Sequence, residues 1–338
     1  MEELKNKTNS TFNEINIKDK KETPEYKEYR RRWDENPKNN VVGKVPVHLD
    51  IELNSTCNLK CVMCFQSFAP PKPEIMNFEL YKKLIDEGAA KGVCSIKLQY
   101  RGEPLLYPKI VEAVKYAKDK GIIEVMFNTN ANLLTEELAK KLIDAGLDKI
   151  ICSVDGFEKE FYESIRVNGN FDTVVNNIKT LHKLKKKLGK STPFIRIQMI
   201  RLKRIKDIKE HTKKYIKFWS KYADDLGFED EGDYHIDRNK NEVIECADFK
   251  CPDIWRRMLV LCNGQYILCC VDHYGRINLG NAKDKTIEET WLGPIYQNIR
   301  SHHLNGTSHV PPLCRRCDSR KIIIQKEKKP CKVIQTDK

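Results

Sequence analysis

The stretch Cys57-Asn58-Leu59-Lys60-Cys61-Val62-Met63-Cys64 puts three thiols in eight residues, spaced C-x3-C-x2-C. A loop this short can wrap one corner of an iron–sulfur cube and bond three of its irons, whereas a cluster held by protein alone takes four cysteines. Thiolate is the ligand such clusters select. A local set of three therefore suggests an open iron, much as a catalytic zinc keeps one position open for its substrate. Zinc itself wants four ligands, and no fourth Cys or His lies close by. A disulfide is disfavoured in a chain that starts Met1-Glu2-Glu3-Leu4-Lys5-Asn6-Lys7, without the apolar stretch of an export signal. A strand-like run, residues 45–53, enters the loop.

The 338 residues suffice for one large domain plus a small one. No 18-residue apolar run is present, so no membrane span is expected, and the expected location is the cytoplasm. The 13 cysteines, an odd number, point to metal and free thiols before disulfides. Against 48 acidic residues stand 61 Lys and Arg, for a net charge of +13. The lysines alternate with acids and build no long stripe laced with aromatics. The charge therefore reads as a solvated surface, and nucleic acid is not an expected partner.

Residues 1–44 form a charged extension whose first twenty positions read as disordered. Within it, Tyr26, Tyr29 and Trp33 fall at i, i+3 and i+7, which predicts a short helix packed on the main domain. Residues 45–245 alternate β runs with amphipathic helices. The pattern predicts helix 78–91, strand 93–100, helix 107–120 stopped by Gly121, strand 122–127 and helix 135–146 capped by Thr135. Strand 149–154, helix 171–188, strand 194–200, helix 205–222 and a weak strand 225–228 follow. Such units predict parallel strands joined by crossover helices, too few for a closed eight-fold barrel. Residues 229–245 read as a hairpin or linker. A cysteine-dense unit covers 246–330, and 331–338 is a tail.

The cysteine stretch resembles the signature of the radical S-adenosylmethionine (radical SAM) enzymes. That resemblance implies an α/β fold, a partial (β/α)6 TIM-like barrel with the cluster loop after strand one. It implies a 4Fe-4S cluster on Cys57, Cys61 and Cys64, with SAM chelated to the open iron by its amino and carboxylate groups. An electron from the cluster splits SAM, and the 5′-deoxyadenosyl radical takes a hydrogen atom from the substrate. Met63 stands where the family usually has an apolar adenine contact. Gly102-Glu103-Pro104 matches the family's Gly-Glu-Pro motif, whose carboxylate holds the SAM amino group. A carboxylate on a turn suits an ammonium group. Asn128-Thr129-Asn130-Ala131 departs from the frequent Thr-Asn-Gly at Ala131 but keeps Asn130 as a SAM contact. Ser153 and Arg166 are candidates for the SAM carboxylate and ribose; their plainer reading is a helix cap and a surface ion pair. Gln198 reads equally as a cofactor contact or as filling of the barrel interior.

Cys251, Gly264, Cys269, Cys314 and Cys317 fit the C-x9–15-G-x4-C and C-x2-C spacings of the SPASM domains appended to many radical SAM enzymes. Position 323 is Ile, where a full SPASM domain continues with more cysteines. The resemblance thus implies the shortened twitch form, with one auxiliary 4Fe-4S cluster. The four-cysteine spacing is similar to that of the 2-deoxy-scyllo-inosamine dehydrogenases. Four thiolates close all four irons, so such a cluster would carry electrons; a structural zinc on the same residues is the rival. Cys270 competes with Cys269, and the Gly spacing favours Cys269. Cys94 and Cys152 read as buried fillers, Trp291 as core, and Cys246, Cys262 and Cys331 as structural or free.

Asp272 and His273, directly after the Cys pair, are candidates for the base that takes the proton when a substrate radical gives up its electron. Tyr100, His235 and Arg238 are weaker ones. The resemblance implies a radical SAM oxidoreductase that turns an alcohol of a sugar, nucleotide-sugar or cyclitol into a ketone, with reduced flavodoxin or ferredoxin as electron donor. A peptide-modifying maturase is one alternative, although the N-terminal extension is short and polar for a peptide-binding module. A non-enzymatic metal protein that binds nucleic acid is the other, and it predicts no SAM cleavage.

Overall fold

The computed structural model describes residues 23–231, 242–315, 317 and 332–335. The disorder expected for the first twenty residues, the candidates His235 and Arg238, and Cys331 lie outside the described residues.

Six parallel strands stand side by side in chain order. They are β1 (His48–Ile51), β2 (Ser95–Lys97), β3 (Glu124–Thr129), β4 (Lys149–Ser153), β5 (Phe194–Arg201) and β6 (Asp225–Asp230). Helix α1 (Pro24–Asn39) precedes them. Helices α2 (Phe78–Lys91), α3 (Ile110–Asp119), α4 (Glu136–Asp144), α5 (Lys159–Ile165), α6 (Phe171–Lys187) and α7 (Ile208–Trp219) connect them. The βα periodicity read from the sequence is therefore the periodicity of the fold. The short α5, one turn after β4, has no amphipathic repeat long enough to have announced it.

Strand β1 buries charge on one of its faces and apolar side chains on the other. Its outward residues Leu49, Ile51 and Leu53 share a core with Leu84 and Ile85 of α2. The alternate residues His48, Asp50 and Glu52 are also fully buried and point the other way. Asp50 pairs with Lys97 of β2 at 3.0 Å and with Arg257 across the sheet. Burial works to raise the Asp50 carboxyl, but Arg257 and Lys97 together hold it well below the usual carboxylate range.

Arg257 explains a feature the sequence did not reveal. Strand β7 (Arg257–Val260), at the start of the cysteine-rich segment, pairs in parallel with the free side of β1, with Arg257 opposite His48. Strands β8 (Gln265–Ile267) and β9 (Asn278–Asn281) continue the sheet antiparallel, giving the order β9-β8-β7-β1-β2-β3-β4-β5-β6. A slip of register would leave Asp50 buried without one of its cations, a loss of about 3–5 kcal/mol. The β7–β8 turn needs Gly264, which sits at φ 90° with Asn281 Oδ1 2.6 Å from where a Cβ would stand. Among the described residues no helix is long and apolar enough to cross a membrane.

Helix α1 starts at Thr23, whose side chain caps Tyr26 N, and runs further than the short helix expected because Asn40, in the left-handed region, ends it. Tyr26, Tyr29 and Trp33 pack on Val47, Cys94 and Phe194, residues at or just before the N-terminal ends of β1, β2 and β5. The helix thus plugs the bottom of the barrel. Trp33 meets His48 edge-on at 5.8 Å, and the Arg256 guanidinium lies 4.1 Å from its ring centre. Trp33→Ala should lower unfolding stability by about 3–5 kcal/mol in denaturant titration; a loss under about 1 kcal/mol would mean that α1 is not part of the cooperative fold.

Candidate active site

The C-terminal ends of β1 to β5 converge on a cavity of about 280 Å³. Cys57, Cys61, Met63 and Cys64 line it from the loop after β1, and Gly102 and Glu103 from the turn after β2. Asn128, Thr129 and Asn130 enter from β3, Ser153 from β4, and Ile200 from β5. Parallel strands place their following loops on one face, which is where barrel enzymes carry out chemistry.

Three sets of bonds hold the cysteine loop. Glu103 N donates to Thr56 O at 2.8 Å, and Asn54 Nδ2 donates to Glu103 O at 2.8 Å, stitching the loops after β1 and β2 together. Gly102 is required here: a Cβ would stand 2.4 Å from Asn54 O and 2.6 Å from Thr56 O. On the far side, Lys60–Cys61 pairs antiparallel with Arg166–Val167, so Cys61 lies opposite Arg166. Inside the loop, Ser67 Oγ donates to Cys61 O at 2.6 Å. Burial raises all three thiols, Cys57 to about 11.

Glu103 is the buried acid of the cavity wall. Its carboxylate accepts from Thr129 Oγ1 at 2.6 Å, from Asn130 N at 2.8 Å and from Leu105 N at 3.2 Å. Burial outweighs these bonds and raises it to about 7. Asn130 Nδ2 donates to Asn58 Oδ1 at 2.8 Å and reaches Cys57 Sγ at 3.9 Å, so Asn130 braces the loop as well as lining the cavity. Ala131, the departure noted in the sequence, adopts φ 61°, a left-handed conformation that costs Ala roughly 1–2 kcal/mol. Asn177 Nδ2 secures that turn by donating to Ala131 O at 2.8 Å.

Arg166 lines the cavity beside Cys61, with Nη1 4.0 Å from its sulfur. Its surroundings are not the exposed pair of the plain reading: Nε and Nη2 reach the fully buried Asp155 Oδ2 at 2.8 and 2.7 Å. The other Asp155 oxygen accepts from Ile200 N at 2.8 Å. Asp155 therefore positions Arg166 and the end of β5 together, a role the sequence reading did not assign. Gln198 is buried on β5 with Oε1 lacking a hydrogen-bond partner, and it is not part of the cavity wall. Asn128 Oδ1, which does face the cavity, is likewise buried without a partner.

The cysteine-rich segment contributes directly to this cavity. His273 is in its wall, stacked face to face on Phe65 at 4.6 Å, with Nδ1 3.3 Å from the Tyr100 hydroxyl. Arg101, bidentate on Glu52 at 2.6 Å, donates to His273 O at 3.1 Å. Burial lowers the His273 imidazole to about 4. Asp272 is placed differently. It is buried outside the wall, and its two oxygens accept from Arg276 N at 2.8 Å and Ile277 N at 2.9 Å. Both carboxylate oxygens of Asp272, the other candidate base, are thus engaged by its own turn.

The four auxiliary cysteines come together from three segments. Cys251 and Cys269 are pushed well above the usual thiol value, first by burial, next by Asp253 and Cys270 respectively, and then in both cases by Cys317 and Cys314. Burial also raises the Cys270 thiol, against the opposing charge of nearby Arg257. Cys246 is disulfide-bonded, and Cys262 is buried with its N–H on Glu52 Oε1 at 3.3 Å. Among the described residues no three His, Cys, Asp or Glu side chains are grouped tightly enough for one metal ion.

Comparison with known proteins agrees. Residues 51–196 match the radical SAM superfamily, and residues 251–318 match the SPASM iron–sulfur cluster-binding domain. The chain is 30% identical to the AdoMet-dependent heme synthase of Methanosarcina barkeri over 267 residues, 76% of this chain and 71% of that protein. It is 36% identical to the GTP 3′,8-cyclase of Chlorobaculum tepidum over 133 residues, spanning 40% of that protein's length and 39% of this chain. The structure of BtrN in complex with AdoMet and 2-DOIA shares the fold, with a TM-score of 0.54 at 19% identity over 82% of this chain and 94% of that one. The chain belongs to the radical SAM superfamily. Its cofactors are S-adenosylmethionine, the 4Fe-4S cluster that binds it, and an auxiliary iron–sulfur cluster in the SPASM domain.

An ammonium group pairs with Glu103 only when the carboxyl is ionised. At pH below about 7 the free protein carries it protonated, so binding must expel a proton and SAM affinity should fall as pH drops. The negative charge of a loaded cluster acts in the same direction. Glu103→Gln should weaken SAM binding about 10–100-fold at pH 8 and flatten the pH dependence in calorimetry. Unchanged affinity in that variant would remove Glu103 from the SAM site.

Proposed function

We propose that this enzyme oxidises a secondary alcohol of a small, uncharged polyhydroxy substrate, a sugar or cyclitol, to a ketone. The observation that carries this reading is the position of His273. It stands in the cavity wall on the same loop as Cys269, so one short segment joins a proton acceptor to the auxiliary cysteines. When bound, SAM and the two clusters supply hydrogen-atom abstraction at carbon and a sink for one electron. Oxidation of an alcohol then requires only that a hydroxyl proton leave.

The protein's residues support each remaining task. Cys57, Cys61 and Cys64 would hold the SAM-binding cluster, with Glu103 on the SAM ammonium, and Met63, Asn130, Ser153 and Arg166 around the rest of SAM. Cys251, Cys269, Cys314 and Cys317 would hold the auxiliary cluster. His273, neutral because it is buried, can accept a proton, and the Tyr100 hydroxyl orients its ring. The cation of the cavity wall that is not assigned to SAM favours a neutral substrate: Arg101 is neutralised by Glu52. A phosphorylated or carboxylated substrate would compete with that acid at a cost in desolvation. Reduced flavodoxin or ferredoxin in the cytoplasm is the proposed source of the initiating electron.

The test is deuterium transfer. Anaerobic, reduced enzyme is given SAM and a panel of cyclitols and sugars deuterated at the carbinol carbon. Label should appear in 5′-deoxyadenosine together with a ketone product. Label arriving only from a peptide, with none from any carbinol, would overturn the reading. His273→Phe, which keeps the stack on Phe65 but accepts no proton, should lower ketone formation about 100-fold or more while SAM cleavage persists.

A further inference from the structure

Helix α8 (Ile287–Trp291) leads into α9 (Pro294–Leu304), which turns Tyr296, Arg300 and His303, spaced i, i+4 and i+7, toward the segments that carry the auxiliary cysteines. All three are buried, at 0, 1 and 0% exposure. The Tyr296 hydroxyl donates to Leu268 O at 3.2 Å, beside Cys269. His303 Nδ1 accepts the N–H of Cys251 at 3.2 Å. Between them, Arg300 Nε donates to Ile254 O at 3.0 Å, three residues past Cys251, and Nη1 donates to Trp291 O at 2.8 Å.

The surroundings of Arg300 are unusual for a buried cation. Its guanidinium lies 4.2 Å from the Trp291 ring centre, 4.8 Å from that of Tyr296 and 5.9 Å from that of Trp255. Its hydrogen-bond partners are backbone carbonyls, and among the described residues no carboxylate lies within ion-pair distance of it. The other buried arginines among the described residues each have an acid: Arg166 has Asp155, Arg196 has Asp225, and Arg257 has Asp50. Buried charges are normally paired, because an isolated one costs several kcal/mol. Stacking on three rings stabilises the cation but does not neutralise it.

A cluster held by four thiolates carries net negative charge, and its potential responds to the charges buried around it. We propose that Arg300 is the counter-charge of the auxiliary cluster and raises its reduction potential, fitting it to accept an electron rather than deliver one. The proposal rests on the assignment of that cluster to Cys251, Cys269, Cys314 and Cys317. It is independent of the substrate.

The experiment is a redox titration of the anaerobically loaded holoenzyme, followed by electron paramagnetic resonance, at several pH values. Arg300→Gln should shift the auxiliary midpoint to lower potential and leave the SAM-binding cluster unmoved. Arg300→Lys keeps the charge only while the lysine stays protonated, and a buried lysine without an acid loses its proton readily. Its auxiliary midpoint should therefore fall as pH rises through the range where the wild type is flat. If Arg300→Gln fails to load iron, the pH profile of Arg300→Lys decides. Auxiliary midpoints equal to wild type in both variants at every pH would overturn the proposal and leave Arg300 a structural strut, with only the melting temperature changed. Wild-type protein that loads a single cluster would overturn the cysteine assignment itself, and the counter-charge with it.

Discussion

Three thiols proposed to share one cluster have to be held close together in a place where, as thiolates, they repel one another and lose their hydration. That constraint governs the region around Cys57, Cys61 and Cys64. Burial keeps the thiols protonated, Cys57 to about 11, so loading iron must expel protons. The loop therefore needs bonds of its own to hold it in the absence of iron. The Gly102 turn grips it on one side, the two-residue ribbon with Arg166–Val167 grips it on the other, and Asn130 braces Asn58 from beneath. The same residues that line the cavity are those that shape the loop.

Strand β1 ties this region to the auxiliary one. Its apolar outer face packs on α2, and its inner face carries Asp50 and Glu52. Asp50 anchors β7 through Arg257, and Glu52 anchors Arg101, whose guanidinium in turn holds the backbone of His273. A single inward row of acids thus fixes the position of the cysteine-rich segment against the barrel. The Phe65–His273 stack completes the junction, since Phe65 follows Cys64 and His273 lies four residues beyond Cys269.

Local chemistry made much of this legible in the sequence. Strands buried on both faces and helices with one apolar face give periodic signals, and the barrel units follow those signals closely. The Gly-Glu-Pro turn and the cysteine spacings are equally local. What escaped depends on contacts between distant segments. Nothing near Arg257 announces a partner at Asp50, 207 positions earlier, so the parallel pairing of β7 with β1 could not be read. Asp155 resembled any strand-end acid until its oxygens were found on Arg166 and Ile200. Asp272 and His273 look equivalent as neighbours, yet the turn takes up one side chain and presents the other. The alanine at position 131 is strained locally, and what sustains it is Asn177 on a helix 46 residues away.

The most direct test of the account is an iron count paired with a spectrum. Anaerobically reconstituted wild-type protein should bind about eight irons, and a variant with Cys57, Cys61 and Cys64 all replaced by Ala about four. The reduced wild type should change its electron paramagnetic resonance signal when SAM is added, and the variant should not. Equal iron in the two proteins, or a SAM-induced change that survives the loss of all three cysteines, would contradict the assignment of the open-iron cluster to this loop.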